Sequence, residues 1–344
     1  MKTQKNTVVH LWSACIAILL LRCLVPSASA EEATGGGDSA ERSRKLPNIV
    51  FILADDMGCD SVSALNDRCG LHTPNIDRLV REGMHFTDAH SGSAVCSPTR
   101  YGVLTGRYSW RTSLKKGIVG IWQPGLIDHD RLTVADMLKE CGYNTACIGK
   151  WHLGMTWNDK NGRPTTKPAE IDFTKPITGG PTTHGFDYYF GDDVPNWPPY
   201  VWIENDRTLG VPSVPKPSTM FGNPGPMLPG WKQEDVLPEI TRRSVQYITK
   251  QAKEPNKPFY LHFTMTSPHS PVVPNDQFKG KSDIDDYCDY VLETDYMVGE
   301  ILKAIDETGL TDDTIVFFTA DNGTSPNFAK FDKLAEQGVH LNEH

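Results

Sequence analysis

The sequence predicts an α/β sandwich, on three observations. Short apolar runs alternate with helical patterns along the chain, four of those runs end in polar clusters, and 344 residues of unbiased composition suffice for a sizeable buried core.

The chain opens with Lys2 and Lys5, an apolar run from Leu11 to Leu24, and the small residues Ala28, Ser29 and Ala30. This is the pattern of a secretory signal peptide cleaved after Ala30, and it predicts a secreted or periplasmic protein. The run is shorter than the ~20 apolar residues that span a bilayer, and no later stretch is apolar enough, so no membrane anchor is expected after cleavage. Residues 31–46 are rich in Gly, Ser and charge without apolar periodicity, which predicts a flexible lead-in. The folded domain is expected over 47–344.

Within it, Ile49 to Leu53 reads as a strand, Asn75 to Glu82 and Leu132 to Cys141 as helices, and Thr145 to Ile148 as a second strand. Phe259 to Met265 and Ile315 to Thr319 are further strands, flanking a long helix from Asp286 to Thr308 that Gly309 ends. Residues 155–233 change character, to Pro, Gly and aromatics with Trp157, Trp197, Trp202 and Trp231. So long a loop in a compact domain points to a substrate-facing rim, with closure of small local cores as the other reading of these tryptophans.

A net charge of −9 argues against a nucleic-acid-binding surface, so an anionic substrate must be drawn in locally. With Cys15 and Cys23 in the signal, Cys59, Cys69, Cys96, Cys141, Cys147 and Cys288 remain in an oxidising compartment. No C-x-x-C spacing occurs and no His stands at zinc-finger distance, which argues against a structural zinc site.

Open α/β sheets present ligands beyond the carboxyl ends of their strands. The first strand leads into Asp55 and Asp56, and the last into Asp321 and Asn322. Carboxylates crowded at two strand ends repel unless a cation sits among them, and an all-oxygen set suits Ca²⁺ or Mg²⁺. Helix capping is the alternative for a single such pair. The run to Ile148 leads into Gly149-Lys150-Trp151-His152-Leu153-Gly154, and the run to Met265 into Pro268 and His269. Cys96-Ser97-Pro98-Thr99-Arg100 reads as a loop entering a helix, whose N-terminus can hold a nucleophile and an anion together, with Arg100 as a bidentate donor.

This run is similar to the sulfatase signature C-x-P-x-R, and Tyr101-Gly102-Val103-Leu104-Thr105-Gly106-Arg107 fits its extension. Taken with the Gly149–Gly154 motif, Asp55-Asp56, Pro268-His269 and Asp321-Asn322-Gly323 in order, the resemblance covers Pro47 to about Thr324. It implies an alkaline-phosphatase-like α/β/α sandwich with a large mixed, mainly parallel central sheet. It implies too that Cys96 is oxidised to formylglycine by a formylglycine-generating or sulfatase-maturating enzyme, and that the hydrated aldehyde attacks sulfur and later expels sulfate. Asp55, Asp56, Asp321 and Asn322, with the modified Cys96, would hold Ca²⁺. Arg100 and His152 would position and deprotonate the nucleophile, Lys150 would neutralise sulfate charge, and His269 would hydrogen-bond or protonate the leaving oxygen.

The stretch from Cys147 to Gly154 looks most like arylsulfatase A and N-acetylgalactosamine-6-sulfatase relatives. A phosphonate or phosphodiester hydrolase of the same superfamily and a non-catalytic sulfoglycan-binding scaffold are the alternatives. Two departures stand out. The family's second active-site lysine has no counterpart, since Lys330 and Lys333 lie too close to Asn322, and the smaller C-terminal domain is expected to be missing, leaving an apolar seam. The serine that follows the Lys-His motif in the family is also unmatched, with Pro195 and Asn196 in its region. Asn322-Gly323-Thr324, the sole N-x-[ST] sequon, falls in the expected metal site, which points to a bacterial periplasmic or extracellular setting rather than a lysosomal one.

Overall fold

Strand β1 (Asn48–Asp55) lies between two parallel neighbours and is buried along nearly its whole length. Strands covered on both faces read as continuous apolar runs, which is why its sequence is NIVFILAD rather than an alternation. The computed structural model describes residues 45–325 and 331–341; the signal peptide and nearly all of the lead-in read from the sequence lie outside these residues.

After β1 come β2 (Asn144–Gly149), a ribbon of β3 (Trp157–Asn158) and β4 (Pro164–Thr165), then β5 (Tyr188–Gly191), β6 (Ile203–Glu204) and β7 (Arg207–Thr208). A second ribbon, β8 (Val214–Pro215) and β9 (Pro226–Met227), precedes β10 (Phe259–Pro268) and β11 (Thr314–Ala320). The central sheet has the order β11-β1-β10-β2-β5-β6-β7. Its first five strands are mutually parallel, and β6 and β7 extend it antiparallel.

Helices cover both faces: α1 (Pro74–Glu82), α2 (Cys96–Thr105), α3 (Val134–Glu140), α4 (Val236–Gln251) and α5 (Asp286–Glu307), with a short α6 (Phe331–Glu336) after the last strand. Side chains alternate between the faces of a strand, so the sheet feeds two cores. Val50, Ile52, Ile148, Phe190, Leu261 and Phe263 pack with α1, α4 and α5. Ile49, Cys147, Tyr189 and Tyr260 pack with Tyr101 and Leu104 of α2 and Ala135 and Leu138 of α3. This is the three-layer α/β/α sandwich with a mainly parallel sheet that the sequence predicts.

Three local expectations change. Helix α3 begins at Val134 rather than near Leu132 because Thr133 and Asp136 form a reciprocal capping box. Helix α4 is absent from the sequence reading; its buried face mixes Leu237, Ile240 and Ile248 with Thr241, Ser244 and Gln251, which blurs the apolar stripe. Residues 155–233 are not one rim loop, since they supply β5, β6 and β7 to the central sheet. Trp157 and Trp231 are buried, and Trp202 stacks between Phe190 and Trp231 at centroid distances of 5.1 and 4.7 Å. The local-core reading therefore holds for these three.

No helix among the described residues is long and apolar enough to cross a membrane. Among the described residues, no disulfide joins the six cysteines from Cys59 to Cys288. Each residue of β11 is only half-buried, including Ile315, Val316, Phe317 and Phe318.

Candidate active site

Parallel register brings four adjacent strand ends level. Ala54 pairs with Ala320, Asp55 with Pro268, and Thr264 with Gly149, so Asp55, Asp321, His269 and Lys150 emerge side by side at the carboxyl edge of the sheet. Gly149 is what lets β2 turn out of the sheet there. Its φ is +118°, and a Cβ would lie 1.8 Å from the Thr264 carbonyl oxygen, so only glycine fits.

Cys96 starts α2 after Val95, an N-cap residue that is extended and offers no side-chain cap. The helix thus presents unsatisfied N–H groups and its positive end to the site. Arg100, one turn on, lies on the same face as Cys96. Its Nε donates to Asp321 Oδ2 at 3.0 Å, its Nη2 approaches the same oxygen at 2.8 Å, and its Nη1 donates to the Lys150 carbonyl at 3.2 Å. Lys150 Nζ donates to Asp55 Oδ2 at 2.5 Å.

Ligand atoms of Asp55, Asp56, Cys96 and His269 lie within 4.8 Å of one another. Asn322 Nδ2 donates to Asp56 Oδ1 at 2.5 Å, and the Asp56 amide donates to Asp321 Oδ1 at 3.3 Å. Asp56 itself takes φ +60°, an uncommon conformation for a residue with a Cβ. Tyr287 of α5 holds it, donating to the Asp56 carbonyl at 3.0 Å and meeting Thr324 Oγ1, which accepts from the Gly58 amide.

Three carboxylates therefore share one buried volume with two cationic side chains. Burial works against the Asp55 anion, but Lys150, His269 and Arg100 around it win and hold its pKa well below the usual carboxylate range. The other two carboxylates go the opposite way. Burial and then Asp55 raise Asp56, and the same two causes push Asp321 up to about 8 even though Arg100 lies against it. The site thus carries more carboxylate than its own cations neutralise. Asp55 Oδ1 and Asn322 Oδ1 are buried and accept no hydrogen bond, although Arg100 Nη2 stands 3.4 Å from the former. Crowded hard oxygens with orphaned acceptors fit a divalent cation of the Ca²⁺ or Mg²⁺ type.

On the other side of Lys150, His152 is 2% exposed, has φ +52°, and has both ring nitrogens without a hydrogen-bond partner. Burial, then Lys150 and Arg100, hold its pKa well below 6.5, so it is neutral. Its backbone N–H donates to the Asp193 carbonyl at 3.1 Å and to Asp193 Oδ1 at 3.0 Å, and the Trp197 ring meets its imidazole edge-on at 5.0 Å. His269 Nδ1 donates to the Ser270 carbonyl at 2.6 Å, leaving Nε2 as an acceptor 3.7 Å from Asp56 Oδ2. The Cys96 thiol is pushed up to about 11 by burial and by Asp55 and Asp321.

The structure brings Asp55, Asp56, Cys96, Arg100, Lys150, His152, His269, Asp321 and Asn322 to this edge, with two changes of partnership. Arg100 is spent on Asp321 and the Lys150 carbonyl rather than open to an anion, and His269 joins the cation-type cluster. Sequence reasoning missed Tyr287 and Thr324 beneath Asp56, and Asp193 with Trp197 around His152. Asp192, Asp193 and Trp197 follow β5, so their position depended on a strand the sequence did not reveal. Of the four tryptophans in the 155–233 stretch, Trp197 is the one whose ring meets a residue of this site.

A layered sheet carrying such a site at its carboxyl edge is the alkaline-phosphatase-like architecture. A family model described as Sulfatase matches residues 47–343, and the chain belongs to the sulfatase family. It is 35% identical over 328 residues to the N-acetylgalactosamine-6-O-sulfatase of Bacteroides thetaiotaomicron, covering 83% of this chain and 60% of the relative. It is 30% identical over 304 residues to the Homo sapiens N-acetylgalactosamine-6-sulfatase, covering 84% and 52%. A solved structure from work on the metabolism of multiple glycosaminoglycans by Bacteroides thetaiotaomicron superposes with a TM-score of 0.71 at 32% identity, over 85% of this chain and 66% of that one. The chain thus spans between half and two thirds of the length of these curated relatives.

Proposed function

We propose that this protein is a sulfuric ester hydrolase of the arylsulfatase type that acts on sulfated glycans and is carried out of the cytoplasm by its signal peptide. The observation that carries the reading is Cys96 at a helix N-terminus, within 4.8 Å of Asp55, Asp56 and His269 and beside Lys150 and Arg100. Burial pushes the Cys96 thiol up, so the unmodified thiol is a poor nucleophile here. The Cys96-Ser97-Pro98-Thr99-Arg100 run supports conversion of Cys96 to formylglycine by a maturating enzyme.

Formylglycine would supply the nucleophilic oxygen, and a Ca²⁺ held by Asp55, Asp56, Asp321, Asn322 and the modified side chain would polarise the sulfate. Lys150 contributes positive charge where sulfate oxygens gather. Neutral His152 can accept a hydrogen bond from the nucleophile's hydroxyl at the ring nitrogen that carries no hydrogen, while burial, Lys150 and Arg100 oppose its full protonation. Arg100 fixes Asp321 and the Lys150 turn. His269, bound through Nδ1–H to Ser270, can donate from Nε2 only as an imidazolium; as the neutral ring it accepts there.

Mass spectrometry of the Cys96 peptide, from protein made beside a formylglycine-generating enzyme, should show the aldehyde. The same protein should release alcohol from an aryl sulfate far faster than from an aryl phosphodiester, and Cys96→Ala should lose that activity. An unmodified thiol would favour the sulfoglycan-binding scaffold, and preference for the phosphodiester would favour the phosphorus-ester branch.

A further inference from the structure

No Asp or Glu occurs from Ala89 to Ile127, in a chain whose net charge is −9. The same stretch holds Arg100, Arg107, Arg111, Lys115 and Lys116. Arg100 is consumed inside the catalytic site, whereas Arg111, Lys115 and Lys116 are exposed. The surface beside them is aromatic. Tyr108 and Trp110 stack with centroids 5.7 Å apart and planes 15° from parallel, and they are 43% and 58% exposed.

So exposed a tryptophan on a charged surface is unusual, because burial of its large ring is strongly favourable. Here the ring is held outward by its own turn. Ser109–Arg111 is a short 3₁₀ turn, and Lys115 Nζ donates to the Trp110 carbonyl at 3.0 Å, which ties Lys115 to the turn that carries the aromatic pair. Local closure thus fixes rings and cations on one turn.

That turn is tied to the catalytic centre at both ends. It leaves the end of α2, ten residues and so about 15 Å from Cys96, and it returns where the Val119 amide donates to Ser97 Oγ at 3.1 Å. A polymer whose scissile sulfate lies at Cys96 would have to extend well beyond a single ester group to reach Trp110. The chemistry fits such a chain: indole faces stack on the C–H faces of sugar rings, while guanidinium and ammonium groups meet sulfates along the polymer.

We propose that Tyr108, Trp110, Arg111, Lys115 and Lys116 form an exosite that binds a sulfated polysaccharide chain outside the catalytic pocket. The choice of sulfate rests on the hydrolase reading given above; the surface and its test do not need turnover.

The test uses the full chain carrying Cys96→Ala, with binding to immobilised dextran sulfate measured from 50 to 300 mM NaCl. Trp110→Ala should weaken binding about tenfold, as loss of one stacking platform does elsewhere. Lys115→Gln with Lys116→Gln should make the dependence of affinity on salt shallower by roughly two released counterions. Both substitutions are at exposed positions, so melting temperatures should match the parent. Unchanged binding in both variants would overturn the exosite, and so would equal affinity for unsulfated dextran or for single-stranded DNA. Aryl sulfate hydrolysis by the same substitutions with Cys96 intact is the parallel arm. If hydrolysis is absent even in the parent, the hydrolase reading fails and the binding result stands; if hydrolysis is normal and binding unaltered, the exosite alone fails.

Discussion

The two halves of the active-site edge are built on different principles. The acidic half, at the ends of β1 and β11, is organised by charge: Asp55 against Lys150, Asp321 against Arg100, and Asp56 raised by burial and then by Asp55. The half formed by β2 and β5 is organised by backbone. There Gly149 releases the strand, and the Asp193 carbonyl and side chain both accept from the His152 amide. The first half is held by opposite charges, the second by a glycine and backbone hydrogen bonds.

The comparison can be broken most forcefully at Asp55. If the acidic half is a cation site, Ca²⁺ at a hundredfold excess over its dissociation constant should stabilise the protein by about 2.7 kcal/mol, read as a rise in melting temperature that EGTA reverses. Asp55→Asn should abolish that rise. A calcium response that survives in the variant would move the cation elsewhere.

Asp193 sharpens the other half. Asp193→Ala removes one of the two acceptors that hold His152 at positive φ, and misplacement of a reacting group by about 1 Å costs on the order of a hundredfold in rate. We expect kcat of the aryl sulfate reaction to fall 10- to 100-fold, with KM little changed. Asp193→Asn keeps an acceptor oxygen and should recover most of it. Equal losses in both variants would assign Asp193 to charge rather than to geometry.

A third effect lies in the core behind the site. His262, on β10, is stacked on Phe51 and Phe186, and burial followed by Arg100 lowers its pKa to about 3. A histidine that resists protonation when folded contributes stability that is complete above its unfolded value near 6.5 and is lost as pH falls. Each pH unit from 6.5 down to 3 should therefore remove up to about 1.4 kcal/mol. His262→Phe should flatten that part of the pH-stability curve; an unchanged slope would show that other groups set it.

Much of this edge was legible in the sequence because strand ends and helix starts carry local signals. Asp55 and Asp56, Asp321 and Asn322, and Lys150 and His152 each follow an apolar run, and Cys96 starts a helix. Their partners were not legible. Tyr287 reaches Asp56 across 231 positions, and Arg100 reaches Asp321 across 221, distances at which no periodicity speaks. Helix α4 was hidden by Thr and Ser on its buried face, and β5 by lying in a stretch rich in Pro, Gly and aromatic residues.

Composition and pattern by themselves determined the α/β class, the strand-end carboxylates, the motif around Cys96 and the acid-free run from Ala89 to Ile127. Those are properties of neighbouring residues, and short-range sterics and burial preferences suffice to write them. Tertiary structure alone decided that Arg100 belongs to Asp321, that His269 stands with the carboxylates, and that Trp197 rather than its three counterparts meets His152. The reason is physical: the parallel register of β11, β1, β10 and β2 sets which charges become neighbours, and in a buried volume the nearest opposite charge determines which partner each group takes.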